Sequence, residues 1–240
     1  MTYTVTFWGT RGSIPTPGPA TSRYGGNTPC VAVEGTEGQL VVLDAGTGIR
    51  GLGLDLVAKQ NGAAKVEILL SHAHWDHIQG LPHFKPFFAP GNTVRIWGSR
   101  QGTASLEAIL RQQMDPAVFP VPLDALVTDN ELGGGGQYDV PVSWRRDFVT
   151  FLKGVDLLIH DAMYTPKELE QHRGWGHSTY EEAVTLAQDA GANKLVLFHH
   201  EPEHGDKEMD GLVAAARKFA KTRGGSLEVD AAQEGMKVTL

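Results

Sequence analysis

Cysteine is nearly absent: Cys30 is the single one in 240 residues. No intrachain disulfide can form, a cysteine-only zinc site is excluded, and a reducing cytoplasm is the simplest home. Long apolar runs are missing too. None approaches the ~20 residues that span a bilayer. The opening stretch MTYTVTFWGTRGS has neither the basic start nor the apolar core of a secretory signal, so no membrane partner is expected. Positive charge is in short supply, with 21 Lys and Arg against 28 Asp and Glu and a formal net charge of −7. A broad nucleic-acid surface needs clustered basic side chains to displace counterions, so that class is disfavoured. A small phosphate ester held at a metal is not. No GxxxxGK[ST] loop is present, no internal repeat is visible, and the run Gly133–Gly136 is the only low-complexity stretch.

What is present is the composition of a globular chain, 41% hydrophobic and 20% charged, long enough to bury a sizeable core. Alternating or compact apolar runs predict strands at 3–8, 30–34, 39–44, 66–70, 93–97, 124–128, 156–160 and 194–198, with two short ones at 226–230 and 236–240. Helical spacing appears over 103–114, 178–190 and 206–222. Ser178-Thr179-Tyr180-Glu181 fits a capping box opening the second of these. The glycine- and proline-rich segments Thr10–Gly18, Tyr24–Pro29 and Asp44–Gly53 read as loops. Strands first, then strand–helix units, imply an α/β chain with two sheets covered by helices, organised as one domain over residues 1–240.

Ten histidines are many for this length, and their positions matter more than their number. Ser71-His72-Ala73-His74-Trp75-Asp76-His77 follows the run 66–70 directly, placing three imidazoles and a carboxylate within six residues. On extended backbone His72 and His74 point the same way, and a turn brings Asp76 and His77 beside them. Imidazole and carboxylate donors suit Zn, with Mn or Fe as alternatives.

This HxHxDH motif after a buried strand resembles the metal motif of the metallo-β-lactamase superfamily. Other stretches agree along nearly the whole chain. Phe7-Trp8-Gly9-Thr10-Arg11-Gly12-Ser13 and Tyr24-Gly25-Gly26-Asn27-Thr28 resemble the start of ribonuclease Z-like phosphodiesterases. Val42-Leu43-Asp44-Ala45-Gly46 resembles the superfamily's first motif, and Leu157–Ala162 resembles a HEAT segment with Asp161 in place of Glu. Gly176-His177-Ser178-Thr179 resembles an HST segment, and Leu195–His199 a last metal-binding strand. Together they are similar to the ribonuclease Z-like, class II cyclic-nucleotide-phosphodiesterase-like branch. The resemblance implies an αββα sandwich of two mixed β-sheets flanked by helices, and two divalent metal ions. One ion would take His72 and His74; the second would take Asp76, His77 and His199; Asp129 would bridge them. Between the neighbours His199 and His200, the match favours His199.

One ligand of the pattern is missing. The family has a metal-binding histidine between HxHxDH and the bridging Asp, whereas here the only histidine between His77 and Asp129 is His83, in Leu81-Pro82-His83-Phe84, which reads as a wall residue. The stretches Pro122–Leu126 and Val127–Asp129, separated by a long segment in relatives, are fused. Either the chain carries a real deletion or a loop is absent from the sequence as given.

The chemistry implied is hydrolysis of a small phosphodiester, with a cyclic nucleotide as one candidate. Asp76 would orient or deprotonate the attacking water, His177 would be the general acid, and Asp161 would hold its ring. Asp44 would support the ligands from behind, and Trp75, Trp175 and Phe84 are candidates for the pocket wall. His160 reads as a satisfied core histidine rather than a ligand. Two rivals stay open: a superfamily hydrolase of another bond, such as a thioester or lactam, and a catalytically impaired metal-binding protein. Relatives of this kind are often dimers, so a homodimer is a candidate assembly.

Overall fold

A computed structural model describes residues 2–59, 64–121, 123, 144–172 and 175–240. The chain divides into two compact units, one made of Met1–Gly9, Asn27–Tyr138 and Lys237–Thr239, the other of Thr10–Gly26, Asp139–Met236 and Leu240. No helix among the described residues is long and apolar enough to cross a membrane.

The first unit is built on β1 (Tyr3–Gly9), β2 (Cys30–Gly35), β3 (Leu40–Leu43), β4 (Lys65–Leu70), β5 (Thr93–Gly98) and β9 (Lys237–Thr239). They form one mixed sheet in the order β5-β4-β3-β2-β1-β9. β3, β4 and β5 run parallel, and their register aligns Val42, Ile68 and Ile96 across the sheet. All three are fully buried, together with Ile49 and Leu52 of α1 (Ile49–Lys59), Phe84, and Leu110 of α3 (Leu106–Gln113). Each such side chain contributes roughly 1.5–3 kcal/mol by leaving water. Cys30 lies in this core, fully buried, and burial pushes its thiol up well above the ordinary range.

The second unit carries β6 (Leu157–Asp161), β7 (Lys194–Phe198) and β8 (Glu228–Ala231), three parallel strands in that order. Leu158, Leu195 and Val229 align across them. Over them pack Ala183, Val184 and Ala187 of α6 (Tyr180–Ala190), and Met209, Leu212 and Ala216 of α7 (Asp206–Arg223). Strand-then-helix order with short loops is what makes these three strands parallel. The α/β class and two helix-covered sheets agree with the sequence reading.

Several local readings change. The expected loop Asp44–Gly53 ends in α1, whose Ile49, Leu52 and Leu56 supply a buried face. The short helix α2 (Trp75–Ile78) carries part of the histidine motif, and α4 (Trp144–Phe151) and α5 (Pro166–Leu169) also appear. The capping box of α6 is shifted by one residue: Thr179 is the N-cap and pairs reciprocally with Glu182, not Ser178 with Glu181. The strand expected at 124–128 and the loop Gly133–Gly136 lie outside the described residues.

One buried cation organises the loops of the second unit. Arg11 has no exposed surface. Its guanidinium donates to the Gly25 carbonyl through Nε and Nη2 (3.2 and 2.9 Å) and, through Nη1, to the carbonyls of Glu201 (2.9 Å) and His204 (2.8 Å). The flanking backbone is tied as well, with Gly12 donating to His200 O and His200 N donating to Thr10 O. Arg11→Met keeps the aliphatic stem but strands buried carbonyls. It is expected to lower unfolding free energy by about 3–5 kcal/mol, measured by urea titration; a loss below ~1 kcal/mol would show that water replaces the guanidinium.

Candidate functional site

In the first unit the motif begins where β4 ends. His74 is extended and caps α2, which turns the chain so that Asp76 and His77 fall on its first turn, both buried. The three imidazoles converge: the His72 ring centroid lies 4.3 Å from that of His74 and 4.1 Å from that of His77. Asp44, in a left-handed conformation (φ 62°) just after β3, holds the group from behind. Its Oδ1 accepts from Ser71 N (2.8 Å) and Ser71 Oγ (2.9 Å), and its Oδ2 lies 2.9 Å from His77 Nδ1. A carboxylate can only accept, so Nδ1 carries a proton toward Asp44, and a bound metal would take the place of the proton on Nε2. Asp76 Oδ2 lies 3.2 Å from that Nε2.

The electrostatics fit a cation. Burial, followed by the neighbouring His77 and His74, lowers His72 to about 4, so its lone pair is free at neutral pH. Burial also opposes charge on His77, yet Asp44 and Asp76 outweigh it and raise the group to about 9. Two carboxylates in a buried place thus demand positive charge beside the His77 ring, and a divalent ion supplies that charge through donors of the right type. Ser71 is a contributor that sequence reasoning passed over. Its hydroxyl lies within 3.1 Å of His72 Nδ1 and 3.3 Å of His77 Nδ1. Its only sequence signal was adjacency to the motif.

The second unit repeats the device. Asp161, the last residue of β6, accepts from Ser178 N at Oδ1 (2.7 Å) and faces His177 Nδ1 with Oδ2 (3.0 Å). The same Oδ2 lies 3.1 Å from His199 Nδ1. Burial opposes its ionisation, but His177, His199 and the Ser178 amide hold Asp161 well below the usual carboxylate range. The His177 and His199 rings stack with centroids 5.1 Å apart. Asp161, His177 and His199 bring one donor atom each within 4.8 Å of one another, a second group able to hold a cation. The Tyr164 ring meets His177 edge-on at 5.8 Å and stacks on His172 at 4.6 Å. Nothing in the sequence marked Tyr164.

His199 and His200 part company because β7 ends at Phe198 and His199 turns left-handed (φ 63°). His200 is buried, its Nε2 is 2.8 Å from Ala232 O, and burial lowers it to about 3. It is a neutral packing residue, whereas His199 sits with Asp161 and His177. The backbone at Gly12 makes room for it: a Cβ there would lie 2.7 Å from His199 Nδ1 and Cε1.

Other expected residues fall as follows. Asp129, the expected bridge, lies outside the described residues. His83 is exposed and meets Phe119 edge-on at 5.6 Å. His160 is half-buried, its Nδ1 2.7 Å from the Asp161 carbonyl oxygen. Trp75 and Trp175 are 76% and 64% exposed, whereas Phe84 is a core residue with no exposed surface and not a pocket wall.

Comparison with known proteins bears on the family. Residues 39–140 match the model of the Beta-lactamase superfamily domain, a stretch that contains Asp44 and the whole HxHxDH motif. Ribonuclease Z of Brevibacillus brevis is 41% identical over 71 residues, 28% of this chain and 22% of that protein. Ribonuclease Z of Oceanobacillus iheyensis is 36% identical over 74 residues, 30% of this chain and 24% of that protein. The matched segments thus span about a quarter of the length of those relatives. Among solved structures, the metallo-beta-lactamase fold protein YhfI from Bacillus subtilis superposes with a TM-score of 0.66 at 19% identity, covering 100% of both chains. A diphosphatase from the PhnP family gives 0.65 at 18% identity, covering 100% of this chain and 98% of that one. Zn(2+)-bound PqqB from Methylobacterium extorquens gives 0.62 at 13%, covering 99% and 100%. These structures show the fold. The fold they show is the metallo-β-lactamase fold; residues 39–140 resemble the Beta-lactamase superfamily domain, and about 30% of the chain is similar to ribonuclease Z.

Proposed function

We propose that the protein is a metal-dependent hydrolase that cleaves small phosphodiesters, cyclic nucleotides among them. The observation that carries the reading is the His177 ring held through Nδ1 by an ionised, half-buried Asp161. Such a pair fixes the ring and presents Nε2 to a substrate, the position from which a proton is donated to a leaving alkoxide. The names of similar proteins, a ribonuclease and a diphosphatase, point to phosphorus–oxygen bonds.

The proposed ligands are His72, His74, Asp76, His77, Asp129 and His199, serving two ions. Zinc suits the donors best, with Mn or Fe as alternatives, and the zinc-bound relative of the same fold supports it. When bound, the metal pair supplies Lewis acidity and a water of lowered pKa. The chain's own residues do the rest. Asp44 fixes the His77 ring and Ser71 braces Asp44. Asp76 is placed to orient the attacking water or take its proton. Asp161 keeps the His177 ring in one tautomer, and His177 Nε2 delivers the proton to the leaving oxygen. We read residues 1–240 as one domain to which both units contribute.

Two outcomes test this. Zinc-loaded protein should carry about two ions per chain by elemental analysis and hydrolyse bis(p-nitrophenyl) phosphate; a chelator should abolish turnover and His72→Ala should lower the metal content. No turnover with zinc or manganese supplied would refute the assignment. The second outcome separates proton donation from metal binding. A p-nitrophenolate leaves without help, while an alkoxide needs a proton. His177→Ala should therefore lower cyclic-nucleotide hydrolysis by about 10²–10⁴-fold while hydrolysis of the activated ester falls far less and metal content stays unchanged. An equal fall on both substrates would instead make His177 a metal ligand.

A further inference from the structure

Basic side chains gather at one place in the first unit of this acidic chain. A cavity of 330 Å³ is bordered by Arg50, His83 and Lys85 and walled by Leu54, Phe88 and Phe119. Its size lies at the lower end of the range for small-ligand pockets. The three polar residues come from separate local elements. Arg50 is on the first turn of α1, His83 closes the 3₁₀ turn Leu81–His83, and Lys85 opens the 3₁₀ turn Lys85–Phe88. Gly53 of α1 is what lets them meet, since a Cβ there would come within 2.9 Å of both Lys85 N and Phe84 Cδ2.

The electrostatics of this cavity are unbalanced. No lining residue is acidic. The first turn of α1 carries no acid either, so the positive end of the helix dipole adds to the Arg50 charge instead of offsetting it. Among the described residues Arg50 and Lys85 have no ion-pair partner, so no carboxylate neutralises this rim. Two exposed cations at one rim, unneutralised in a chain of net charge −7, make a place for an anion. The walls add a second specification. Phe88 is 47% exposed, and the Phe119 ring stands perpendicular to the His83 imidazole with centroids 5.6 Å apart. Aromatic faces beside a cationic rim suit a planar ring that bears a phosphate.

We propose that this cavity binds a mononucleotide, its phosphate between Arg50 and Lys85 and its base against Phe88 and Phe119. The site shares no residue with the proposed metal ligands or with the Asp161–His177 pair. Because a mononucleotide is also the product of the proposed cyclic-nucleotide hydrolysis, binding at this cavity is the binding that persists in His72→Ala, and the cavity variants are compared in that background.

The test is calorimetric titration of the full zinc-loaded chain with adenosine 5′-monophosphate, with inorganic phosphate and adenosine as separate arms. The nucleotide should bind more tightly than either part, and added salt should weaken it. Arg50→Gln with Lys85→Gln should weaken nucleotide binding at least tenfold, while Arg50→Lys with Lys85→Arg, which keeps the charges, should retain it. Phe88→Ala should weaken the nucleotide but leave the inorganic phosphate arm unchanged. His72→Ala should leave nucleotide affinity unaltered. Binding that survives the double Gln variant, binding that is lost with His72→Ala, or no nucleotide binding at millimolar concentration overturns the proposal. All the altered cavity positions are exposed, and circular dichroism checks that each variant folds.

Discussion

A carboxylate that grips a backbone amide with one oxygen and an imidazole with the other is the interaction on which the chemistry of both units rests. Asp44 does this with Ser71 N and His77, and Asp161 does it with Ser178 N and His177. Each carboxylate sits at the C-terminal end of a parallel strand, where the sheet fixes its backbone. Each is anchored to the chain segment that carries the histidine or adjoins it, so ring and segment cannot drift independently. The imidazole is thereby locked in one tautomer, with Nδ1 protonated and Nε2 left for a metal or a substrate. Rigid presentation of this kind lowers the entropy that a ligand or transition state would otherwise have to remove.

Holding side chains so closely strains the backbone around them. Among the described residues three non-glycine positions have positive φ, and two of them are Asp44 and His199. Such conformations cost of order 1–3 kcal/mol and persist only where surrounding bonds over-determine them. Asp44 is held by the ladder bond from its own amide to Leu69 O and by Ser71. Next to His199, His200 is clamped in both directions to the segment Thr10–Gly12. Glycine meets the remaining crowding. Gly46 packs so closely on the Asp76 carbonyl that a Cβ would collide with it, and would stand 2.5 Å from Thr28 Oγ1. The glycine-rich motifs around the site are thus consequences of close packing as much as of turns.

Much of this was legible beforehand because its period is local. The strand runs at 66–70 and 194–198 and the apolar stripe of 206–222 need only neighbours two or four residues away to be read. The histidine motif was legible because metal-ligand residue types are rarely packed so densely for any other reason. What escaped depends on contacts distant in sequence. Glycines at 51 and 53 made α1 look like loop, yet they are there because the Trp8 ring lies 3.3 Å from one would-be Cβ and Lys85 N lies 2.9 Å from the other. Tertiary packing overrode propensity. The start of α6 was ambiguous by one residue because both Ser178 and Thr179 have a Glu three positions on. Asp161 decides between them by taking the Ser178 amide, which leaves Thr179 to cap. Tyr164 and Ser71 left no sequence signal of their own, since a hydroxyl becomes informative only when its neighbours are known. Asp129 and the fused stretches around it lie outside the described residues, so the missing histidine is known from sequence alone.

The sole thiol of the chain is enclosed in the core of the first unit, flanked by the strand partners of β2 and held in its protonated, unreactive form. An alkylating reagent can reach it only when that sheet opens. Labelling of Cys30 therefore clocks the breathing of this unit, without any engineered probe, and any ligand that binds its closed form must slow the clock.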